Sequence, residues 1–224
     1  MSRFFLSLLF LLLALPASAS ETAQPQTVLI VGDSLSAGYG LRPGEGWPTL
    51  LEARLADEFG PQDDPVEVVN ASISGDTTRG ALSRLPRALD VHQPDLVIIE
   101  LGGNDGLRGF PLDVMESNLR QLIKLSRDAG ADVLLLGMML PPNYGQDYTE
   151  QFHQVYVDLA AELEVPLVEF FLQGVALNPA LMQPDGIHPT AAAQPQLLEN
   201  VWPAIRGLLQ PAFETAAGEP VASH

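Results

Sequence analysis

The chain has 224 residues, no cysteine, and a formal net charge of −17 from 28 acidic and 11 basic residues. This length allows one domain with a sizeable core, and the lack of cysteine excludes disulfide bonds and thiol chemistry. So acidic a chain is a poor ligand for nucleic acid, which is itself a polyanion, and we expect no such partner.

The chain begins with the pattern of an export signal. Arg3 precedes an apolar run over residues 4–15, and Ala17 and Ala19 form the A-x-A pattern of a cleavage site. We therefore expect cleavage near Ala19 and export to a bacterial periplasm. The alternative is a retained membrane anchor. The run is short for a membrane span and no later stretch is long enough for one, so we expect no stable membrane insertion.

Strands and helices then alternate along the chain. Five apolar runs rich in Val, Ile and Leu lack polar alternation and predict buried strands, at residues 27–31, 66–70, 95–100, 132–137 and 165–169. Helices are predicted between and after them, at residues 47–59, 78–91, 112–129, 148–163 and 190–209. This order predicts an α/β fold with a parallel sheet covered on both faces. One domain would span residues 20–210, and residues 211–224, which lack an apolar pattern, would form a flexible tail.

The loops that follow predicted strands carry the candidate site residues. In open parallel sheets, ligands bind beyond the carboxyl ends of the strands. Ser34, Gly75 and Asn104 follow the first three strands, and Asp185 and His188 follow the last one. Taken singly, each residue has an ordinary structural explanation, such as a helix cap or a turn. Their joint occurrence on one predicted edge of the sheet favours a site.

Ser34 could act as a nucleophile if a general base lies within hydrogen-bonding reach. The only lysine, Lys124, is in the middle of a predicted helix, where it is a poor candidate for that base. Three of the four histidines are poorly placed to act as that base. His92 precedes the third predicted strand, His153 is inside a predicted helix, and His224 is the last residue of the chain. Position in the predicted fold therefore leaves His188 as the base.

Asp185 stands three residues before His188, a spacing at which a carboxylate can reach the Nδ1–H of the imidazole. It would fix the tautomer and leave Nε2 to take the serine proton. The alternative is an ordinary β-turn at the Asp-Gly pair, followed by a loop histidine. Donors for an oxyanion are available in the backbone N–H groups of Ser34 and Gly75 and in the side-chain amide of Asn104.

Four blocks of this chain together resemble the GDSL or SGNH hydrolases. They are GDSLS at residues 32–36, NASISGDTT at 70–78, ELGGNDGLRGF at 100–110 and MQPDGIHP at 182–189. The longer strings are similar to those of bacterial periplasmic esterases described as acyl thioesterase, lysophospholipase and arylesterase. The blocks extend from residue 32 to residue 189, so the resemblance covers essentially the whole chain after the export signal.

The resemblance implies a flavodoxin-like three-layer α/β/α sandwich with a five-stranded parallel sheet. It implies Ser34 as the nucleophile, His188 as the base and Asp185 as the residue that orients the base, with Ser34, Gly75 and Asn104 forming the oxyanion hole. It also implies hydrolysis of carboxylic esters and thioesters through an acyl-enzyme, without a metal or a cofactor.

The expected substrates are small-molecule or lipid esters, and the expected state of the enzyme is a monomer. An acyl chain needs an apolar slot beside the reacting groups. The loops of the active edge offer apolar side chains for such a slot, namely Leu107, Phe110, Met139, Leu140 and Tyr144.

Three other functions remain open from the sequence. The first is a carbohydrate esterase of the same family. The second is a non-catalytic flavodoxin-like module that binds a phosphate at the GDS turn, although Arg42 is the only basic side chain close to that turn in the sequence. The third is a metal phosphoesterase using Asp33, Asp76, Asp105 and Asp185. Asp33 and Asp105 are better explained as loop braces that accept hydrogen bonds from backbone N–H groups.

Overall fold

The structure, a computed structural model, describes residues 26–59 and 66–217. The predicted export signal at residues 1–19, with its cleavage point, lies outside the described residues. Residues 218–224 of the predicted tail also lie outside them.

Five parallel strands form one sheet, which confirms the predicted α/β fold. They are β1 (Thr27–Gly32), β2 (Glu67–Asn70), β3 (Leu96–Glu100), β4 (Asp132–Leu136) and β5 (Leu167–Val168). The order across the sheet is β2-β1-β3-β4-β5, and each neighbouring pair is parallel. This is the flavodoxin-like order of doubly wound sheets. Strands β1 and β3 are buried along their whole length, which explains their uninterrupted apolar sequence.

Helices cover both faces of the sheet. They are α1 (Ser34–Ala37), α2 (Trp47–Phe59), α3 (Thr78–His92), α4 (Gly103–Leu107), α5 (Leu112–Asp128), α6 (Gln146–Leu163) and α7 (Gln194–Ala217), with 3₁₀ turns at Pro142–Tyr144 and Ala191–Ala193. Helices α2 and α7 pack against each other, while α5 packs against both α3 and α6. Because crossovers between parallel strands are right-handed as a rule, this strand order places the two groups of helices on opposite faces, which gives three layers.

Large aromatic side chains anchor the core on both sides of the sheet. Trp47 meets Phe171 edge to face, and Phe152 meets Tyr156 in the same way, with ring centroids 5.5 Å apart in each pair. Such pairs contribute roughly 0.5–1.5 kcal/mol beyond the burial of their area. The hydroxyl of Tyr156 donates to the carbonyl of Leu101 at 2.9 Å, so the core directly supports the loop after β3.

Two predicted boundaries are corrected by the structure. β5 has two residues, whereas the sequence predicted a strand over 165–169. It is an edge strand, and it begins only after Pro166, which has no N–H to donate to a neighbouring strand. Helix α7 continues to Ala217, through residues 211–217 of the predicted tail. This part of the sequence contains alanine and glutamate, which are strong helix formers. Helices α1 and α4 were not predicted, because four or five residues are too few to show a helical period.

No helix within residues 26–59 and 66–217 combines the length and the apolar character that crossing a membrane requires.

Candidate active site

The candidate site lies where the strand order of the sheet reverses. β1 has β2 on one side and β3 on the other, so the connections that leave β1 and β3 run over opposite faces of the sheet. This divergence opens a crevice at the carboxyl ends of the two strands. Ser34 follows β1 and Asn104 follows β3, which puts both residues at the crevice.

The structure brings Ser34, His188 and Asp185 into one hydrogen-bonded row. His188 Nε2 lies 2.8 Å from Ser34 Oγ, and His188 Nδ1 lies 2.7 Å from Asp185 Oδ2. An ionised carboxylate can only accept, so Nδ1 carries the proton and Nε2 accepts from the serine hydroxyl. Ser34 and His188, 154 positions apart in the chain, thus meet in the geometry that a serine nucleophile requires of its base.

The Asp185 carboxylate is organised by its own turn. Its Oδ1 accepts from the backbone N–H of Ile187 at 2.9 Å and from that of His188 at 3.0 Å. The hydrogen bond from the His188 backbone is the largest of the effects that lower the pKa of Asp185 to about 2. Asp185 is therefore ionised at neutral pH and is able to stabilise an imidazolium beside it.

Two side chains that were not among the sequence candidates support His188. The ring of Tyr39 lies over the imidazole with centroids 4.4 Å apart. Gln183 Nε2 donates to the carbonyl of Tyr39 at 2.8 Å and to that of Pro189 at 3.0 Å, and the Gln183 N–H donates to the carbonyl of His188 at 2.7 Å. One glutamine therefore ties the histidine loop to the loop that carries Tyr39.

Ser34 is the first residue of α1, and Asp33 caps this helix. Asp33 Oδ1 accepts from the N–H of Leu35 at 3.0 Å. The expectation that Asp33 braces the loop by accepting a backbone N–H is confirmed. Because the aspartate supplies the cap, the serine hydroxyl is left to bond with His188. The Ser34 N–H has no acceptor within the part of the chain that the structure describes.

Gly75 and Asn104 lie beside each other, joined by one arginine. Arg108 Nη2 donates to the Gly75 carbonyl at 3.0 Å and to Asn104 Oδ1 at 3.3 Å. Asn104 Nδ2 donates to Asp33 Oδ2 at 2.9 Å, which connects this pair to the Ser34 loop. Gly75 has a φ of 79°, a conformation that favours glycine, and its N–H has no acceptor among residues 26–59 and 66–217.

A buried carboxyl group lies beneath the Ser34 loop. Glu100 ends β3 and is fully buried, and its Oε2 accepts from the Ser36 hydroxyl at 2.7 Å and from the Asp33 N–H at 3.3 Å. Trp47 Nε1 donates to Ser36 Oγ at 3.2 Å. Burial raises the pKa of Glu100 well above its ordinary value, and burial also raises the pKa of Asp33 to about 6. Two buried carboxyl groups with raised pKa values therefore lie beneath the loop that carries Ser34.

The four aspartates of the metal hypothesis bind protein donors. Asp105 accepts from the N–H and the hydroxyl of Thr78 at 2.9 and 2.6 Å, and Asp76 pairs with Arg84 at 2.8 Å. Asp33 and Asp185 have the partners described above. Within the described ranges, no three His, Asp or Glu side chains are grouped as metal ligands would be. The structure therefore gives the metal hypothesis no support.

An apolar cleft of about 400 Å³ opens beside Ser34 and His188. Of the side chains expected to line it, Leu107, Met139 and Leu140 do so. Phe110 and Tyr144 are not among the lining residues, which corrects that expectation. Tyr144 instead donates its hydroxyl to the Leu107 carbonyl at 3.1 Å, and Phe110 is 43% exposed.

Much of the cleft comes from segments that sequence reasoning did not assign to it. These are the segment after β5, with Phe170, Leu172, Ala176 and Leu177, and the histidine loop, with Met182 and Ile187. The sequence could have indicated the first of these segments, because it follows a predicted parallel strand and must therefore begin at the same edge of the sheet as the site.

Comparison with known proteins agrees with the observed fold. Residues 30–194, which make up more than half of the chain, match the model of the GDSL-like lipase/acylhydrolase family. The chain is 53% identical over 190 residues to "Esterase TesA" of Pseudomonas aeruginosa, which covers 85% of this chain and 92% of that protein. It is 47% identical over 201 residues to "Arylesterase" of Vibrio mimicus, covering 90% and 96%.

Two further comparisons have similar coverage. The chain is 47% identical over 194 residues to "Thioesterase 1/protease 1/lysophospholipase L1" of Escherichia coli K12, covering 86% of this chain and 88% of that protein. A crystal structure of TesA has a TM-score of 0.79 and 54% identity, covering 82% of this chain and all of that one. The chain belongs to the GDSL-like lipase/acylhydrolase family, and it is a carboxylic ester hydrolase.

Proposed function

We propose that this enzyme hydrolyses carboxylic esters and thioesters of fatty acyl chains, such as lysophospholipids, acyl thioesters and aryl esters. Ser34 is the nucleophile, His188 the general base and Asp185 the group that orients it. The observation that carries the proposal is the continuous row from Ser34 Oγ through the imidazole to the Asp185 carboxylate, with contacts of 2.8 and 2.7 Å.

In the first half of the reaction, Ser34 Oγ attacks the acyl carbonyl carbon while its proton moves to His188 Nε2. The resulting oxyanion accepts hydrogen bonds from the N–H groups of Ser34 and Gly75 and from Asn104 Nδ2. Each such donor typically stabilises the transition state by about 3–4 kcal/mol. The bond to the leaving group then breaks, and His188 gives its proton to the departing alcohol or thiol.

In the second half, a water molecule attacks the acyl-enzyme, and His188 again acts first as a base and then as an acid. His188 takes a proton from the water as its oxygen bonds to the acyl carbon. The bond to Ser34 Oγ breaks, the serine recovers its proton from His188, and the carboxylic acid leaves. Asp185 stabilises the imidazolium in both halves, and its low pKa of about 2 keeps it ionised throughout.

The lining of the cleft supports a long acyl group over a small polar one. Leu107, Leu140, Phe170 and Leu172 present apolar surface next to Ser34, and Met139 can adapt to chains of different shape. A site built for an acetylated sugar would need polar side chains for the sugar hydroxyls. Initial rates with aryl esters of increasing acyl length test this point, and activity limited to acetyl esters and acetylated sugars would contradict it.

Replacement of the nucleophile tests the catalytic role of Ser34. We expect Ser34→Ala to abolish hydrolysis of esters and thioesters, while Ser117→Ala, at an exposed serine of α5, retains wild-type activity. A fluorophosphonate should attach covalently to the wild-type protein at Ser34 and not to Ser34→Ala, as read by peptide mass spectrometry. Undiminished hydrolysis by correctly folded Ser34→Ala would refute the mechanism.

Export to the periplasm belongs to this proposal and is supported by the signal pattern at residues 1–19. The mature protein should begin near Ser20 when it is recovered from a periplasmic extract. Mass spectrometry of the intact protein measures this end, and an intact Met1 in that fraction would contradict the expected cleavage.

A further inference from the structure

Asn104 can stabilise an oxyanion only if the nitrogen of its side-chain amide, and not the oxygen, faces the reacting group. The two ends of a carboxamide have nearly the same shape, so neighbouring donors and acceptors decide which end points where. Asp33 Oδ2 accepts from Asn104 Nδ2 at 2.9 Å, and a reversed amide would place two acceptors against each other. The second hydrogen on Nδ2 has no acceptor among the described residues.

Arg108 contacts the opposite end of the same amide. It follows α4 directly, four residues after Asn104, and this spacing brings two side chains together on one side of a helical turn. Its Nη2 donates to Asn104 Oδ1 at 3.3 Å. A guanidinium has no acceptor atom, so this contact is compatible with the carboxamide oxygen and is lost when the amide reverses.

The Gly75 carbonyl fixes the guanidinium in the place where it meets Asn104. It accepts from the same Nη2 at 3.0 Å, and a Cβ at Gly75 would lie 3.6 Å from that nitrogen. This carbonyl belongs to the peptide that follows Gly75, whereas the N–H assigned to the oxyanion hole belongs to the peptide that precedes it. The contact therefore anchors Arg108 and does not itself orient the Gly75 N–H.

We propose that Arg108 is a positioning residue of the oxyanion hole, which holds the Asn104 carboxamide with its nitrogen toward the reacting oxygen. Asp33 and Arg108 act on opposite ends of one amide and both exclude the reversed orientation. The inference rests on the oxyanion role proposed above for Asn104. Arg108 is exposed, so its contribution to folding is small and its effect is expected in catalysis.

Steady-state kinetics with a short aryl ester test the inference. Arg108→Met removes every donor and keeps most of the aliphatic stem, Arg108→Lys keeps a cation, and Arg87→Met is a control at an exposed arginine of α3. We expect Arg108→Met to lower kcat about tenfold, a fraction of the 10²–10³-fold loss typical when a whole oxyanion donor is removed. KM should change little, because the bond from Asn104 strengthens in the transition state. Arg108→Lys should recover part of the loss, and Arg87→Met should match the wild type.

The double variant Asn104→Ala/Arg108→Met separates positioning from other effects. If Arg108 acts through Asn104, adding Arg108→Met to Asn104→Ala should change kcat by less than about twofold. A loss that persists in the Asn104→Ala background would overturn the inference, as would an unchanged kcat in Arg108→Met alone. A raised KM with kcat unchanged would overturn it too, since it would indicate substrate binding. Full activity in Asn104→Ala would instead contradict the oxyanion role of Asn104, which belongs to the proposed function.

Discussion

At the residue scale, the environment of His188 explains how a weak hydroxyl could become a nucleophile. The Asp185 carboxylate lies 2.7 Å from Nδ1, and the Tyr39 ring covers one side of the imidazole at 4.4 Å between centroids. The first contact fixes the tautomer and the second limits rotation of the ring. Neither contact is supplied by Ser34 itself, so the proposed mechanism makes the reactivity of the serine depend on residues that can be changed one at a time.

We expect Asp185→Asn to lower kcat about 10⁴-fold, the loss seen when the orienting carboxylate of such a triad becomes an amide. The new amide can donate to Nδ1, which would leave the proton on Nε2, facing Ser34. Kinetics with an aryl ester measure the loss, and Asp113→Asn, at an exposed aspartate of α5, serves as the control. A loss of less than tenfold would show that Asp185 does not set the tautomer.

Replacing the ring over His188 should have a smaller effect. We expect Tyr39→Leu to lower kcat/KM about two- to tenfold, which corresponds to the roughly 0.5–1.5 kcal/mol of an aromatic pair. Tyr39→Phe keeps the ring and should retain nearly all activity. The comparison is made by kinetics across a range of pH, and an equal loss in both variants would assign the effect to the hydroxyl and not to ring contact.

The sequence allowed prediction of some site residues and not of others, for a chemical reason. Ser34 was a candidate because it follows the first predicted strand, elimination by position selected His188 among the histidines, and a three-residue spacing added Asp185. Tyr39 and Gln183 act through packing and through hydrogen bonds to backbone carbonyls, which many residue types can make. No spacing in the sequence distinguishes them from ordinary loop residues.

At the scale of elements, short turns after the central strands determine where the site residues stand. Gly102 precedes α4 with a φ of 110°, and a Cβ there would overlap the hydroxyl of Tyr156, a fully buried residue of α6. Only glycine satisfies both the conformation and the space. The next helix turn presents Asn104, so the position of this amide depends on the contact between Gly102 and Tyr156.

Stability measurements test that dependence on Gly102. We expect Gly102→Ala to lower the free energy of unfolding by about 2–4 kcal/mol, from the positive φ and the overlap together. Tyr156→Phe removes only the hydrogen bond to Leu101 and should lower it by about 1 kcal/mol. Adding Tyr156→Phe to Gly102→Ala should restore part of the stability by relieving the overlap. Urea denaturation measures all three variants.

A glycine inside a helix provides the matched control. Gly207 in α7 has negative φ and open space around its Cα, so Gly207→Ala should raise the free energy of unfolding by up to about 1 kcal/mol. Equal destabilisation by both alanine substitutions would contradict the role assigned to the turn at Gly102.

The elements themselves were predictable where their sequence is long and uniform. The apolar runs of β1, β3 and β4 and the periodic segments of α2, α3 and α5 lie within one residue of their predicted bounds. The prediction failed at β5, which Pro166 shortens, and at α7, which extends to Ala217. Both failures lie at the periphery of the sheet or the end of the chain, where fewer neighbours constrain the backbone.

At the scale of the whole molecule, charge is distributed in a way that composition does not reveal. The net charge of −17 predicts an acidic surface, yet the carboxyl groups of Asp33 and Glu100 are buried at the switch point of the sheet. Glu100 is the last residue of the run 95–100 that the sequence predicts as a buried strand, although a carboxyl group is costly to bury without hydrogen-bond partners. The structure buries it because β3 is a central strand and because Ser36 and Asp33 supply hydrogen-bond donors.

These buried carboxyls determine the sign of the pH dependence of stability. Their folded-state pKa values lie above the ordinary ones, so the folded protein retains protons that the unfolded chain has lost. The contribution of Asp33 is complete below its ordinary pKa of 3.8 and is lost as the pH rises through about 6, and that of Glu100 is lost in the same direction. Asp185 has the opposite sign, because its folded pKa is about 2 and its contribution is lost as the pH falls through that value. Together, these three groups should therefore contribute most to stability in mildly acidic solution.

Glu100→Gln should flatten the decline of stability toward alkaline pH. Glutamine has nearly the shape of the protonated acid but cannot ionise. The substitution therefore removes the contribution of this group to the difference in bound protons between the folded and unfolded states. We expect the free energy of unfolding of the wild type to fall more than that of Glu100→Gln between about pH 5.5 and about pH 7.5, by about 1–3 kcal/mol. Urea denaturation at both pH values measures this, with Glu52→Gln at an exposed position of α2 as the control for loss of surface charge. An equal fall in the free energy of unfolding of the wild type and Glu100→Gln would contradict this prediction. It would mean that Glu100 is already ionised in the folded protein, beneath the Ser34 loop.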